Sequence, residues 1–288
     1  MRPRRASPAG RLGGRNVAAL LTGGTSMSAG RVLFFVTTLA LSATAMVATV
    51  LGARAFGLGL MVLGGYLAML LAGVMIPRLA MFAPVLLRLP STRREIALTF
   101  DDGPNPASTR AVLAILARCD ARATFFVLGE KVRAAPEVLR EIADAGHAIG
   151  IHGDWHDRLF SLRHPNRMVA DIERARSAVA AVTGNRPSLF RPPIGHVSPR
   201  TAAAARRLGL TLVAWTVRGR DGLAGATAEA VQRRVVAGLR PGAIILLHDA
   251  AERGERTPAS VAALPAILEE AARRGLRCVP ISPFGVQS

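Results

Sequence analysis

The stretch Ile96-Ala97-Leu98-Thr99-Phe100-Asp101-Asp102-Gly103-Pro104 decides how the rest of this chain is read. An apolar run ends at two adjacent carboxylates, and a Gly-Pro break follows at once. Such a run predicts a buried strand that delivers Asp101 and Asp102 to a loop. Two ionised carboxylates side by side repel, so each disfavours the other's charge. The pair is stable where a cation or a proton-transfer role separates the two acids. A plain surface turn competes with this reading, because Asp-Asp-Gly-Pro is also ordinary turn chemistry.

Downstream of Glu95 the pattern repeats. Strand-like runs begin near Ile96, Ala123, Ala148, Leu189, Leu212, Ile244 and Cys278. Helical periodicity falls between them, near 107–118, 136–145, 167–182, 198–208, 226–239 and 259–274. Strands alternating with helices predict a parallel α/β sheet, open or closed as a barrel. Three further polar groups close such runs. His152-Gly153-Asp154-Trp155-His156 sets two imidazoles at i and i+4, a spacing that suits two ligands of one metal. Joined by a distant carboxylate they form a two-His-one-carboxylate set with open positions. In Phe190-Arg191-Pro192-Pro193-Ile194-Gly195 the prolines withdraw their own donors, and the Ile194 N–H remains to point into a site. Arg191 suits a bidentate contact with a carboxylate. The run Ala243 to Leu247 ends in His248-Asp249, where an imidazole beside an acid suits a general acid. All four groups lie at C-terminal strand ends, which share one face of a parallel barrel, the face where active sites are built.

The upstream part differs in kind. The formal net charge is +18, and Lys131 is the only lysine, so the positive charge is nearly all arginine. No acid precedes Glu95. No nucleic-acid module accompanies the charge, which points to a membrane surface instead. Residues 1–30, rich in Arg, Gly, Ser and Pro, are expected to be disordered, and Met27 offers a second start. Val32–Leu51 and Phe56–Ile76 are uncharged runs of the ~20 residues that span a bilayer. Gly52-Ala53-Arg54-Ala55 would turn them into a hairpin, with Gly57, Gly59, Gly64, Gly65 and Gly73 allowing close approach. Buried core helices are the alternative. Cys119 and Cys278 form neither a metal-ligand spacing nor a disulfide framework.

Thr-Phe-Asp-Asp-Gly-Pro (99–104), His-x-x-x-His (152–156), Arg-x-Pro-x-Gly (191–195) and Leu-x-His (246–248) are specific as a set. From about Glu95 to Ile281 the chain resembles the polysaccharide deacetylase (NodB-homology) family. The resemblance implies a distorted (β/α)7-type barrel and metal-dependent removal of an acyl group, usually acetyl, from an amino sugar. It implies Asp101 as catalytic base, Arg191 as the residue orienting that base, and His248 as general acid. Asp102, His152 and His156 become metal ligands, and Ile194 an oxyanion donor through its N–H. The ion implied is zinc, with cobalt, nickel or manganese as substitutes. The chain departs from the family pattern at Gly153, Asp157 and Ile194. In the family's fourth motif Arg218 and Gly222 stand where an Asp and a Trp are usual, which leaves open what tunes His248. The simplest arrangement pairs Arg218 with Asp221 or with an anionic group on the substrate.

The expected architecture is therefore a basic N-terminus (1–30), a transmembrane hairpin (31–77), a juxtamembrane linker (78–94) and a catalytic domain (95–288). The expected protein is a deacetylase of the bacterial-type inner membrane, acting on an amino-sugar polymer or a lipid-linked sugar. Arginines crowd both outer flanks of the hairpin, so the positive-inside rule puts the termini and the barrel in the cytoplasm. Two rivals stand beside this reading. One is an inactive sugar-binding relative, for which the altered fourth motif speaks; the other is an amidase on a non-sugar substrate.

Overall fold

The computed structural model describes residues 27–51, 56–254 and 256–282. Most of the basic N-terminus and the turn Gly52–Ala55 therefore lie outside the described residues.

From Glu95 onward strands and helices alternate as β1 (Glu95–Asp101), α3 (Ser108–Arg118), β2 (Thr124–Leu128), α4 (Gly129–Ala134), α5 (Pro136–Asp144) and β3 (Ala148–Gly153). They continue as α6 (Pro165–Thr183), β4 (Leu189–Phe190), α7 (Pro199–Arg207), β5 (Thr211–Leu212) and β6 (Val217–Arg218), then α8 (Ala228–Gly238), β7 (Ile244–His248), α9 (Ala259–Arg273) and β8 (Arg277–Cys278). The sheet is parallel in the order β5-β4-β3-β2-β1-β7-β6, with β8 against the start of β1. It curls into a half-closed barrel of the α/β class. All of β1 is buried, as expected of a central parallel strand covered on both faces. Its register sets Asp101 level with His248 on β7 and with Phe126 on β2.

The run beginning near Leu212 is split into β5 and β6, because an upstream segment takes the hydrogen bonds between them. Leu86 donates its N–H to the Leu212 carbonyl (2.8 Å) and accepts from the Ala214 N–H (2.9 Å). Leu89 donates to Gly242 (2.9 Å), and Met81 and Ala83 are buried. Residues 81–89, expected to be a linker along the membrane, instead fill the gap between the two ends of the sheet.

The two apolar runs form α1 (Ala29–Leu51) and α2 (Phe56–Met75). Ala29–Val47 is long and apolar enough to cross a membrane, and the corresponding stretch of α2, Gly59–Met75, is shorter. Large side chains such as Phe35, Leu39 and Met61 face outward, which a soluble core helix would not do. Thr38 Oγ1 lies 3.0 Å from Tyr66 Oη between the helices. The expectation for the glycines is corrected. A Cβ at Gly57, Gly59, Gly64 or Gly65 would meet nothing within 4 Å, so they bring no helices together. Gly73 alone of the five permits close approach, and it does so against Met81.

Candidate active site

The four groups at strand ends meet in one pocket of about 290 Å³, whose walls include Asp101, Asp102, His152, His156, Ile194, Trp215, Arg218 and His248. Asp101 and Asp102 are both nearly fully buried but face different partners. β1 ends at Asp101, and Asp102 takes a left-handed conformation (φ 74°), which Asp tolerates better than most residues. This twist separates the two carboxylates that the sequence places side by side. Lys131, the only lysine, braces the turn by donating to the carbonyls of Asp102 and Ala251, each at 2.7 Å.

Asp101 Oδ1 accepts from Arg191 Nη1 at 2.6 Å. The same nitrogen reaches Thr99 Oγ1 (2.8 Å), and Nη2 and Nε donate to the carbonyls of Ala214 (3.1 Å) and Val213 (3.3 Å). The guanidinium also sits 4.1 Å over the Phe126 ring. Arg191 is completely buried; burial pulls its pKa below the ordinary range, against the opposing pull of Asp101. A charge buried this deeply is tolerable only because nearly every donor has an acceptor.

Asp102 faces the two imidazoles. Its Oδ1 lies 3.4 Å from His152 Nε2 and 3.7 Å from His156 Nε2. That oxygen is buried without a hydrogen-bond partner among the described residues. One ligand atom from each of Asp102, His152 and His156 lies within 4.8 Å of the others. An orphaned carboxylate oxygen beside two imidazole nitrogens fits a divalent cation. The orientation of His152 is fixed from behind, by Nδ1 at 2.7 Å from the Arg191 carbonyl. Burial pushes the His152 pKa down, outweighing Asp101 and Asp102, and so favours the neutral ligand form. Glu252 Oε1 lies 3.3 Å from His156 Nδ1 while pairing with Arg158.

His248 stands opposite. Asp221 Oδ1 lies 3.0 Å from its Nδ1, and Asp221 Oδ2 accepts its backbone N–H at 2.7 Å. Burial works against the charged ring, but the hydrogen bond and charge of Asp221, with Asp102 and Asp101 behind it, raise the His248 pKa to about 9. Burial likewise opposes ionisation of Asp221, and the His248 contact overcomes it and lowers that pKa. The fourth-motif expectation is thus corrected. Asp221 belongs to His248 and is not paired with Arg218. Arg218 is exposed on the rim, its guanidinium 5.9 Å from the Trp215 ring centroid.

Ile194 has φ 53°, a conformation that a β-branched residue rarely adopts. Gly195 (φ 76°) closes the turn by donating to the Pro192 carbonyl at 2.8 Å. A Cβ at Gly195 would stand 2.3 Å from the Trp215 ring, so only glycine lets this loop lie against that wall. Position 153 (φ 121°) likewise favours glycine.

Sequence reasoning missed Thr99, Trp215, Lys131 and Glu252. His147 Nδ1 accepts the Ala123 N–H at 3.2 Å, and burial pushes its pKa down to about 4. His164 caps α6 by accepting the Asn166 N–H at 3.3 Å. His196 is partly buried.

Comparison with known proteins gives a consistent picture. Residues 88–213 match the polysaccharide deacetylase family. A peptidoglycan-N-acetylglucosamine deacetylase of Bacillus cereus is 34% identical over 196 residues, which cover 67% of this chain and 89% of that protein. The peptidoglycan-N-acetylglucosamine deacetylase PgdA of Listeria monocytogenes is 36% identical over 158 residues, 55% of this chain. The match spans only 33% of the Listeria protein's length. Among solved structures, a family 4 carbohydrate esterase from Streptomyces lividans in complex with acetate superposes with a TM-score of 0.60. It is 33% identical, and the match covers 66% of this chain and 93% of that one.

Proposed function

The chain belongs to the polysaccharide deacetylase family, and on that premise we propose that it hydrolyses N-acyl groups, N-acetyl foremost, on amino-sugar glycans. One observation carries the reading. A buried carboxylate held by a guanidinium (Asp101–Arg191) and an imidazole held by a carboxylate (His248–Asp221) sit at the same level of the sheet, beside the Asp102–His152–His156 cradle.

Asp102, His152 and His156 would hold a divalent ion, zinc foremost, and such an ion supplies Lewis acidity for amide hydrolysis. Asp101 accepts a proton from the attacking water as the water oxygen bonds to the acyl carbon. Arg191 holds that carboxylate in place through the 2.6 Å contact to Oδ1. The Ile194 N–H donates to the carbonyl oxygen as it becomes an oxyanion. His248 Nδ1 faces Asp221, so Nε2 is the atom that gives its proton to the leaving nitrogen. The C–N bond then breaks, releasing the free acid and the amino sugar. The positions of base, acid and cradle are all filled, which speaks against an inactive sugar-binding relative. The peptidoglycan deacetylases among the matches favour a sugar over a non-sugar amide.

The α1–α2 hairpin serves as a two-span anchor in the cytoplasmic membrane. Both outer flanks are arginine-rich and the turn has only Arg54, a distribution that favours the cytoplasmic side for the catalytic unit. On that side the substrate would be a lipid-linked amino sugar. The experiment is acetate release by the full-length protein from N-acetylated chito-oligosaccharides, peptidoglycan and a lipid-linked N-acetyl sugar. Release from at least one of them, lost in Asp101→Asn, is expected. No release from any of the three, with metal supplied, overturns the assignment. A C-terminal alkaline phosphatase fusion with strong activity would move the barrel to the outer side.

A further inference from the structure

We propose that the mouth of the catalytic pocket rests in the headgroup layer of the membrane that anchors the hairpin, so that substrate enters from the lipid surface. This rests on the deacetylase reading and on insertion of α1 and α2. Three independent observations carry it.

The first is where apolar surface remains. Among the described residues beyond Ile76, five large apolar side chains are exposed: Trp155, Leu159, Leu162, Ile194 and Leu223. All five lie on loops that follow β3, β4 or β6, and so on the C-terminal face of the barrel, and two of them, Ile194 and Leu223, line the pocket itself. The opposite face exposes none among the described residues. Exposed apolar residues gathered on one face, with Trp among them, are the pattern of an interfacial surface.

The second is continuity with the span. The Val197 N–H donates to the Val74 carbonyl at 3.1 Å. Val74 lies inside the apolar run that ends at Ile76, about 3 Å further along the axis at 1.5 Å per residue. A loop three residues past Ile194 is therefore hydrogen-bonded to the membrane helix itself. Arg78, just past the helix, donates to the carbonyls of Trp215 (3.4 Å) and Thr216 (2.6 Å), the segment that walls the pocket. The contacts extend outward. Ser198 Oγ donates to the Ser161 carbonyl (2.7 Å) and Arg200 to the Leu162 carbonyl (2.6 Å), tying the loop that carries Leu159 and Leu162 to the same end of α2.

The third is charge. Arg218 and Arg220 line the pocket, are exposed, and make no ion pair with an acid among the described residues. Asp221, between Arg220 and Gly222, is engaged by His248, and Glu252 by Arg158. Free guanidinium groups beside exposed apolar side chains suit a plane of lipid phosphates. A bilayer accounts for all three features at once; a soluble protein partner would leave the contact with α2 unexplained.

The test uses the full chain reconstituted in vesicles of phosphatidylcholine and phosphatidylglycerol, with Cys119→Ser and Cys278→Ala as background. A fluorophore is placed by Leu162→Cys, Leu223→Cys, Asp144→Cys or Leu67→Cys, and nitroxide-labelled lipid is added as quencher. Headgroup nitroxide should quench the probes at 162 and 223 several-fold more than the probe at 144, on the far face. Acyl-chain nitroxide should quench the probe at 67. Equal quenching at 162, 223 and 144 overturns the proposal, and so does an unquenched probe at 67. The double variant Leu159→Asp, Leu162→Asp touches no group of the chemical site. It should keep acetate release from a soluble N-acetylated oligosaccharide and lose release from the same sugar carried on a vesicle lipid. Equal loss on both substrates overturns it. A wild-type protein inactive on both substrates sinks the deacetylase reading instead, and the quenching pattern still decides where the mouth lies.

Discussion

The two ion pairs that flank the cradle use the same pairing of acid and base to opposite ends. Arg191 and Asp101 are both buried, with side-chain exposures of 1% and 4%, at 2.6 Å. His248 and Asp221 lie at 3.0 Å, and the imidazole keeps 18% of its surface. In the first pair the cation is the fixture, and the carboxylate is the group presented to the pocket. In the second the carboxylate is the fixture, and the imidazole is presented. The difference shows how a general base and a general acid are kept distinct at neighbouring strand ends: each presented group is positioned by a more deeply buried partner.

The largest effect should come from breaking the more buried pair. Arg191→Met leaves Asp101 without its counter-charge and the Val213 and Ala214 carbonyls without donors. Loss of one partner from a buried pair costs about 3–5 kcal/mol, read as a lowered melting temperature in thermal unfolding. Arg191→Lys should recover little, because one ammonium cannot replace the guanidinium fork. If either variant melts with the wild type, the pair is not a structural fixture.

Next come the presented groups. Asp101→Asn and His248→Ala should each lower kcat by about 10²–10⁴, the usual weight of one general acid–base group. Metal content, measured by elemental analysis, should stay unchanged in both. Asp102→Asn should lower metal content. Loss of metal in Asp101→Asn instead would exchange the roles of the two aspartates. Chelation should abolish activity, and zinc or cobalt should restore it.

Much of this pairing is legible in the sequence. Asp101, Asp102, His152, Arg191 and His248 stand at the ends of apolar runs, and a buried parallel strand has no choice but to deliver its last residues to one face. The partners of the acid are harder to read. Asp221 reaches His248 only because Arg220 takes φ 59° and turns the chain back beneath the His248 N–H. Simple alignment puts Arg218 at that place. Residues 81–89 lack any strand period because only Leu86 and Arg88 make bridges, so Pro84 and Pro90 read as linker. Glu252 and Thr99 meet their partners across long stretches of chain, and nothing local announces such contacts.

The less buried pair should answer to pH. The His248 pKa is raised from 6.5 to about 9, so the pair's contribution to stability is full below the ordinary imidazole range and fades as pH climbs through about 9. The lowered Asp221 pKa sets the other edge: the contribution is present above the ordinary carboxylate range and is lost as pH falls below it. The alkaline limb of kcat should follow His248, which must be protonated to act. A cation in the cradle offsets the Asp101 and Asp102 share of the shift, so the limb of the metal-loaded enzyme should fall below 9. Asp221→Asn should move it further down, toward 6.5, while Arg191→Lys should leave it in place. An alkaline limb that ignores Asp221→Asn would remove His248 as the acid.

The smallest effect concerns Arg218, which belongs to neither pair. It lines the pocket from the end of β6, one strand away from His248, and Asp221 is not available to neutralise it. An exposed guanidinium at that place has water, the lipid headgroups or the substrate as its partner, and a phosphate or carboxylate on the sugar would suit it. Solvent screens such a contact, so Arg218→Ala should cost no more than about 1 kcal/mol of binding. The loss should appear in KM for an anionic N-acetyl sugar and fade at high salt. A neutral N-acetyl oligosaccharide should show no change, and kcat on both should hold. Equal shifts on charged and neutral substrates would mean that Arg218 shapes the rim through its stacking on Trp215 and recognises no anion.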